Sequence, residues 1–341
     1  MKSTKNRSRA TGRVTLADVA ALAKVSPITV SRALRGERAV ASELTDRVKA
    51  AALKLGYTPD PAARALASRH SDHVAVLIPM LSNNLFVDVL ESIQKTLRYA
   101  GYQTLIGITH YDTREEEQLL REQLQHRPAG ILVTGLDRSD AARELIEKSG
   151  IPCVHMMELA QSPDVNSVGF SQTQAAMTLT EHLLQRGRQR IAFAAAQLDP
   201  RTMQRLDGWR KTLKAAKLYD KALSYTNKSP SSMALGGEML QHIMAQDPSI
   251  DAIFFCNDDL AQGALLAAQR LKIKVPQQLA IAGFNDLTGS DLVGPGLTTI
   301  RTPRAAIGEA AAKMLLNLMR EEDVPTPSVD VGYELMVRGS T

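Results

Sequence analysis

Thr15-Leu16-Ala17-Asp18-Val19-Ala20-Ala21-Leu22-Ala23-Lys24-Val25-Ser26-Pro27-Ile28-Thr29-Val30-Ser31-Arg32-Ala33-Leu34 reads as two short helices joined by a tight turn. Leu16, Val19, Ala20 and Ala23 recur at helical spacing and give the first helix one apolar face. Ala20 and Ala21 are small enough for a second helix to cross close by. Ser26 is a good N-cap, and Pro27 suits the first helical position, where its missing amide proton is not needed. Val30, Ala33 and Leu34 then face inward, leaving Pro27, Ile28, Thr29, Ser31 and Arg32 outside. This is the layout of a helix-turn-helix that sets its second helix in a DNA major groove. Arg32 has the forked donors for a guanine edge, while Ile28 and Thr29 can touch a thymine methyl. An ordinary helical hairpin with a surface arginine has the same periodicity.

Charge favours the DNA reading. Residues 1–72 carry 14 Lys and Arg against 6 Asp and Glu, whereas the remainder carries 27 against 30. A basic head on a mildly acidic body is the electrostatic footprint of a nucleic-acid-binding module joined to something else. With 341 residues the chain is expected to form about two or three units. Residues 1–13 are basic and polar with no apolar run, which reads as a disordered arm and not as a signal peptide or membrane anchor. No segment has the unbroken apolar length needed to span a bilayer. Cys153 and Cys256 lie far apart without metal-ligand spacing, fitting buried free thiols in a reducing cytoplasm. The expectation is a cytoplasmic protein with no metal and no cofactor.

A third helix is expected over Ser42 to Leu55, with Leu44, Val48, Ala51, Ala52 and Leu55 on one face and Gly56 as its stop. In the stretch after Tyr57, Pro59 forces an extended entry, Asp60 can cap and Pro61 can begin a short helix reaching Arg69. Such a helix is too short to be stable in isolation, so it suits a segment that folds only against a twin on DNA. A plain interdomain linker has the same composition.

Val14-Thr15-Leu16-Ala17-Asp18-Val19-Ala20, then Val25-Ser26 with Thr29-Val30-Ser31-Arg32, and Leu55-Gly56-Tyr57-Thr58-Pro59 resemble the headpiece of the lactose/galactose repressor family. The resemblance runs from Val14 through essentially the whole chain. It implies a helix-turn-helix domain over 14–58, a hinge helix over 59–71 and an effector-binding and dimerisation domain over 72–341. By that resemblance Pro27, Ile28 and Arg32 face bases, and Thr15, Leu16 and Ser26 contact the DNA backbone. Thr29, Ser31, Tyr57 and Ala63 are further candidates for the DNA surface. Leu66 matches the hinge lever that wedges into the minor groove and bends the duplex. Two departures matter: Pro27 and Ile28 lack the hydrogen-bonding groups found in many relatives, and Asp60 replaces the usual asparagine.

Beyond the hinge, apolar runs alternate with helical stretches. Strands are expected at Val74 to Pro79, Thr104 to Ile108, Gly130 to Thr134 and Cys153 to Met156, with a helix from Leu85 to Tyr99. A second series is expected at Ile191 to Ala195, Ala252 to Cys256 and Leu279 to Ala282. Alternation of this kind gives parallel sheets covered on both faces, with ligands beyond the carboxyl ends of the strands. The fold class is thus an all-α helix-turn-helix headpiece plus an α/β body. The family resemblance makes that body two-lobed and periplasmic-binding-protein-like, with three chain crossings between lobes. They are expected near Phe170, Leu297 and Asp330, giving a first lobe of about 72–170 and 298–329 and a second of about 171–297 and 330–341.

Loop residues after the strands are the effector candidates. Ser82, Asn84 and Phe86 follow the first strand, with Ser82 or Asn83 equally placed to cap a helix. His155 and Glu158 follow another, and a lone histidine there is commonly structural. The resemblance matches Arg205, three residues before Gly208, to the family's principal effector-binding arginine, and Asn257 to its ligand-contacting asparagine. Asn257 suits a helix cap equally well. Asn285 stands where many sugar-binding members have a carboxylate. That exchange removes a negative charge that would repel an anion, while Arg201 and Arg205 can clamp a carboxylate. An acidic sugar is therefore expected. Leu77-Ile78-Pro79, Asn84-Leu85-Phe86, Gly101-Tyr102-Gln103-Thr104 and Leu198-Asp199-Pro200-Arg201-Thr202 resemble the gluconate-repressor branch, which points to gluconate or 2-ketogluconate.

The expected partners are double-stranded operator DNA, that sugar acid and a second copy of the chain, with no membrane. The expected mode is a homodimeric repressor released by its effector, although a neutral sugar or a co-repressor suits the same fold. The Val337-Arg338-Gly339-Ser340-Thr341 end has no leucine heptads, so a tetramer is not indicated. An enzyme would need an acid/base set, for which only Asp286, Glu158 and His155 offer themselves. No nucleophile elbow, phosphate-gripping loop or paired metal-ligand motif accompanies them. A transport-type binding protein would need an export signal and no basic headpiece.

Overall fold

A computed structural model of the chain describes residues 14–34, 40–58, 71–82 and 84–341. It divides into two compact units, Met1–His70 and Ser71–Thr341. The expected arm over 1–13 and nearly all of the hinge, with Ala63 and Leu66, lie outside the described residues. Among the described residues no helix is long and apolar enough to cross a membrane.

The first unit holds helices α1 (Leu16–Ala23), α2 (Pro27–Leu34) and α3 (Ser42–Leu55). Thr15 caps α1 through a reciprocal box: its hydroxyl accepts from the Asp18 amide, and the Asp18 carboxylate accepts from the Thr15 amide at 2.8 Å. Lys24 ends α1 in the left-handed region at φ 53°. The Ser26 hydroxyl accepts from the Thr29 amide at 3.1 Å, and Pro27 follows as the first residue of α2. Gly56, at φ 64°, closes α3 by turning its amide back to the Ala52 and Leu53 carbonyls. Val19, Ala20, Ala23, Val30, Ala33, Val48, Ala51 and Ala52 form the shared core. Most of these side chains are small, which lets three short helices close on one another.

The second unit contains two six-stranded sheets. The first takes β1 (His73–Ile78), β2 (Gln103–Ile108), β3 (Gly130–Thr134), β4 (Cys153–Met156), β5 (Ser167–Gly169) and β11 (Ser328–Asp330) in the order β11-β5-β4-β3-β1-β2. The second takes β6 (Ile191–Ala195), β7 (Ser224–Thr226), β8 (Ala252–Phe255), β9 (Ala280–Asn285), β10 (Thr298–Arg301) and β12 (Glu334–Met336) in the order β12-β10-β9-β8-β6-β7. Every pairing is parallel except β10 with β12.

Parallel strands covered on both faces read as unbroken apolar runs, and β3, β6, β8 and β9 are buried along their whole lengths. Strand β1 shows the two faces separately. Val74, Val76 and Ile78 join the main core, whereas Ala75 and Leu77 join a second cluster with Leu120, Ile131, Val133 and Ala142. The covering helices are α4 (Asn84–Tyr99), α5 (Thr113–Gln125), α6 (Asp140–Ser149), α7 (Gln172–Gln185), α8 (Pro200–Ala215), α9 (Met233–Gln246), α10 (Asp258–Arg270) and α11 (Arg304–Met319). They pack in pairs, α4 with α11, α5 with α6, α7 with α8 and α9 with α10.

The chain passes from the first sheet to the second after Gly169, returns after Arg301, and passes again between Asp330 and Glu334. The second crossing corrects the expected one at Leu297, because Thr298–Arg301 is a strand of the second lobe. Its register with β9 runs Thr298↔Ala282 to Arg301↔Asn285. Two adjacent threonines look like linker residues, yet both are buried here with their hydroxyls bonded inside the second lobe. Thr298 Oγ1 donates to the Arg338 carbonyl at 3.1 Å, and Thr299 Oγ1 donates to Asp258 at 2.7 Å. The break falls at Thr302-Pro303, ahead of α11.

Candidate effector cavity and DNA-reading helix

A cavity of about 240 Å³ opens between the two lobes, beyond the carboxyl ends of β1, β2, β6, β7, β8 and β9. The first lobe lines it with Met80, Ser82, Leu85, Phe86 and Tyr111. The second lobe adds Gln197, Asp199, Arg201, Thr202, Arg205, Ser231, Ser232, Asn257, Asp259 and Asn285. The volume suits one small ligand, and the wall is mixed: an apolar, aromatic side and a polar side dense in donors.

Three helix starts converge on the polar side. Asp199 caps α8, Ser232 caps α9, and Asn257 caps α10 by accepting from the Leu260 amide at 3.1 Å. Asn257 also accepts from the Ser231 hydroxyl at 3.0 Å, so it is at once a cap and part of the cavity wall. Helix α8 comes close enough to α7 to set its charged face because residue 208 is glycine. A Cβ there would sit 2.4 Å from the Thr173 carbonyl oxygen.

That close approach brings Arg205 to Gln172. Arg205 Nε donates to Gln172 Oε1 at 2.9 Å, Nη1 donates to the Cys256 carbonyl at 2.7 Å, and the guanidinium lies 3.9 Å from the Phe284 ring centroid. Burial pulls the Arg205 guanidinium below its ordinary value. Among the described residues no carboxylate comes within 4.0 Å of it; its direct contacts are neutral acceptors and a ring face, and Asp199 acts on it only from further away. Cation–π attraction at a desolvated site contributes about 2 kcal/mol. Taking a charge out of water costs several times that, so an anion at this end of the cavity is favoured.

Arg201 differs. It pairs with Asp199 at 3.2 Å and, across the lobes, with Glu158 at 3.6 Å. Burial opposes its charge, but Asp199, Tyr111 and Glu158 hold it above its ordinary value. The expected two-arginine clamp therefore divides: Arg201 is ion-paired with two protein carboxylates, and Arg205 has none in contact. Asn285 Oδ1 accepts from the Thr302 hydroxyl at 3.0 Å, leaving its amide nitrogen as a donor.

Ser82, Phe86, Arg201, Arg205, Asn257 and Asn285 thus line the cavity as expected positions, whereas Asn84, His155 and Glu158 are not among its lining residues. Asn84 Nδ2 donates to Thr288 Oγ1 of the second lobe at 2.9 Å. Glu158 accepts from Gln204 at 2.6 Å and from the Leu136 amide at 3.3 Å, tying the lobes behind the cavity. His155 sits against Arg138 at 2.8 Å, and Arg138 in turn pairs with buried Glu116 at 2.9 Å. Burial and then the Arg138 charge push the His155 imidazole down to about 4. Asp286 is held by Arg301 and Arg338 at 2.8 and 2.7 Å. Each member of the imagined acid/base set is thus engaged in its own structural pairing.

Spacing did not reveal Tyr111, Gln197, Asp199, Ser231, Ser232 or Asp259. Tyr111 follows β2 in a turn where His110 and Tyr111 have φ of 47° and 61°. Left-handed backbone costs a non-glycine residue about 1 kcal/mol or more, and no glycine marks the turn. Ser231 and Ser232 follow β7, a three-residue strand too short and polar to be read. A search for polar residues after every strand would have reached them.

Next to the wall, Asp258 is fully buried and fixes the loop that follows β9. Its carboxylate accepts from the Leu287 amide at 2.7 Å, from Ser290 at 3.0 Å and from Thr299 at 2.7 Å. Burial raises its carboxyl to about 6, against the hydrogen bonds that favour the charged form. A folded-state value above the unfolded one means this group's contribution to stability is full below about pH 4 and is lost as pH rises through about 6. In thermal melts across that range, wild type should therefore lose stability relative to Asp258→Asn as pH rises. A difference that stays flat with pH would contradict the burial of an ionising carboxyl.

In the first unit, Val30 and Ala33 are fully buried, while Pro27, Ile28 and Arg32 are exposed. Ile28 keeps 66% of its surface in solvent despite being aliphatic, which sets an apolar contact beside the only cationic side chain of α2. Thr29 and Ser31 are half-buried at the margins, and Thr29 shares a 2.8 Å hydrogen bond with Ser26. Thr15 and Leu16 start α1, and half-buried Tyr57 packs against the three-helix core.

Comparison with known proteins identifies both parts. The family model for bacterial regulatory proteins of the lacI family matches residues 15–60, and that for a periplasmic binding protein-like domain matches residues 180–341. The HTH-type transcriptional regulator GntR of Pseudomonas aeruginosa is 53% identical over 100% of both chains. The regulator GntR of Escherichia coli K12 is 34% identical over 96% of this chain and 98% of its own. The crystal structure of transcription regulator GntR from Chromobacterium violaceum, 48% identical, matches 79% of this chain and 98% of its own with a TM-score of 0.77. A helix-turn-helix head, a two-lobed body and close resemblance to transcription regulators lead to one conclusion: the chain belongs to the lacI family of bacterial regulatory proteins, and is a DNA-binding transcriptional regulator and not an enzyme.

Proposed function

We propose that this regulator is a homodimeric repressor whose operator complex is released by a sugar acid, gluconate or 2-ketogluconate, bound in the interlobe cavity. The observation that carries the ligand class is Arg205: a buried guanidinium at the cavity wall, stacked on Phe284, with neutral acceptors in place of a carboxylate. A ligand carboxylate supplies the missing charge through charge-assisted hydrogen bonds. Asn285, Asn257, Gln197 and the serines meet the hydroxyls, and Asp259 accepts from one of them. The relatives named GntR accord with this reading, as does the resemblance to the gluconate-repressor branch.

Two copies of α2 would read half-sites about one helical turn apart on a pseudopalindrome, with Arg32 on a guanine edge. Release requires the effector to favour the DNA-free state, with coupling of about 1–3 kcal/mol. The test is fluorescence anisotropy of a labelled operator duplex bound by the protein, titrated with gluconate, 2-ketogluconate, glucose and ribose. An acid should release the DNA at concentrations where the neutral sugars do not. Release by glucose or ribose alone would refute the acid assignment, and tightening by an acid would make it a co-repressor.

A further inference from the structure

We propose that Tyr111 is a specificity-determining ligand contact supplied by the first lobe, its hydroxyl donating a hydrogen bond to an oxygen of the effector's carboxylate. The inference rests on the sugar-acid reading above and adds a residue which neither the sequence patterns nor the comparisons assign.

Tyr111 lines the cavity from the first lobe, and its ring meets Phe86 edge-on at 6.5 Å and 68°. Arg201, reaching over from the second lobe, places its guanidinium 5.8 Å from the ring centroid. The phenol has one proton to donate. Burial pushes the hydroxyl up to about 12, which keeps that proton in place at any physiological pH. The ligand atom that completes the arrangement is an acceptor. An ionised carboxylate is acceptor-only, whereas a sugar hydroxyl can accept or donate.

The backbone supports the same conclusion. Two successive non-glycine residues, His110 and Tyr111, stand in the left-handed region. The turn is braced on both sides: the His110 amide donates to the Pro79 carbonyl at 2.9 Å, His110 Nδ1 lies 3.0 Å from Glu115, and Asp112 caps α5. The ring that this turn delivers packs partly against the main core and also lines the cavity. Strain that points a side chain into a cavity is characteristic of binding sites.

Calorimetric titration of full-length wild type and Tyr111→Phe with gluconate, 2-ketogluconate and glucose tests the assignment. The substitution keeps the ring, the Phe86 contact and the guanidinium above it, and removes only the hydroxyl. For the acid that wild type binds, affinity should fall by about ten- to a hundredfold, the range a hydrogen bond to a charged acceptor supports. The melting temperature and ligand-free operator affinity should stay as in wild type. Equal acid affinity in the two proteins would overturn the Tyr111 assignment and leave the sugar-acid reading standing. Binding of glucose but neither acid by wild type would overturn both the sugar-acid reading and the carboxylate contact. Binding of none of the three would likewise overturn both.

Discussion

Arg32→Ala removes operator selectivity while leaving most of the salt-sensitive background binding. Arg32 is the only cationic side chain of α2 and is exposed there, while Val30 and Ala33 anchor the helix from its buried side. Pro27 and Ile28 have no side-chain donors, so bidentate reading of a guanine falls to Arg32. One bidentate contact discriminates by about 1–3 kcal/mol. Two half-sites double that, giving a loss of specific affinity of roughly 30-fold to more than 10,000-fold. Background affinity comes chiefly from phosphate contacts and falls with salt, so it should persist in the variant. Competition between operator and random duplex at two salt concentrations separates the two effects. An unchanged specific-to-random ratio would remove Arg32 from base reading.

Arg205→Ala has the second large effect: ligand no longer releases the operator, although operator binding itself persists. Truncating one partner of a buried, hydrogen-bonded charge pair costs about 2–5 kcal/mol, which predicts a loss of effector affinity of roughly 30- to several thousandfold. The same substitution leaves Gln172 Oε1 and the Cys256 carbonyl without their donor, so melting should fall by an amount corresponding to about 1–3 kcal/mol. Operator affinity should nevertheless hold, because α2 belongs to the other compact unit. Normal release by ligand from the folded variant would place the effector elsewhere.

These two arginines illustrate which features were legible in the sequence. Local rules were legible: the Ser26-Pro27 start, the Gly56 stop and the small-residue faces of α1 and α3 each depend on a few neighbouring residues. Strands such as Ala252–Phe255 were visible because parallel strands covered on both faces must be apolar throughout. Thr298–Arg301 was not, since its buried hydroxyls find partners in Arg338 and Asp258, far away in the chain. Long-range pairing also decided the site. Nothing near Arg201 in the sequence announces that Glu158 crosses from the other lobe to pair with it, or that burial beside Arg138 keeps His155 neutral. Tyr111 reached the cavity through a left-handed turn without the glycine that would have marked one. Residue type pointed to the donors of this site, and only the fold distinguished Arg205, with no carboxylate in contact, from Arg201.

The central claim is that the cavity is built for an anion. The most direct measurement is calorimetric titration of the wild-type protein with gluconate and with glucose, its uncharged parent, under identical buffer and salt. The account predicts saturable binding of gluconate and at least a hundredfold weaker binding of glucose, as expected when a buried charge pair is lost. Glucose binding as tight as or tighter than gluconate would contradict it, because Arg205 would then be satisfied without a ligand charge.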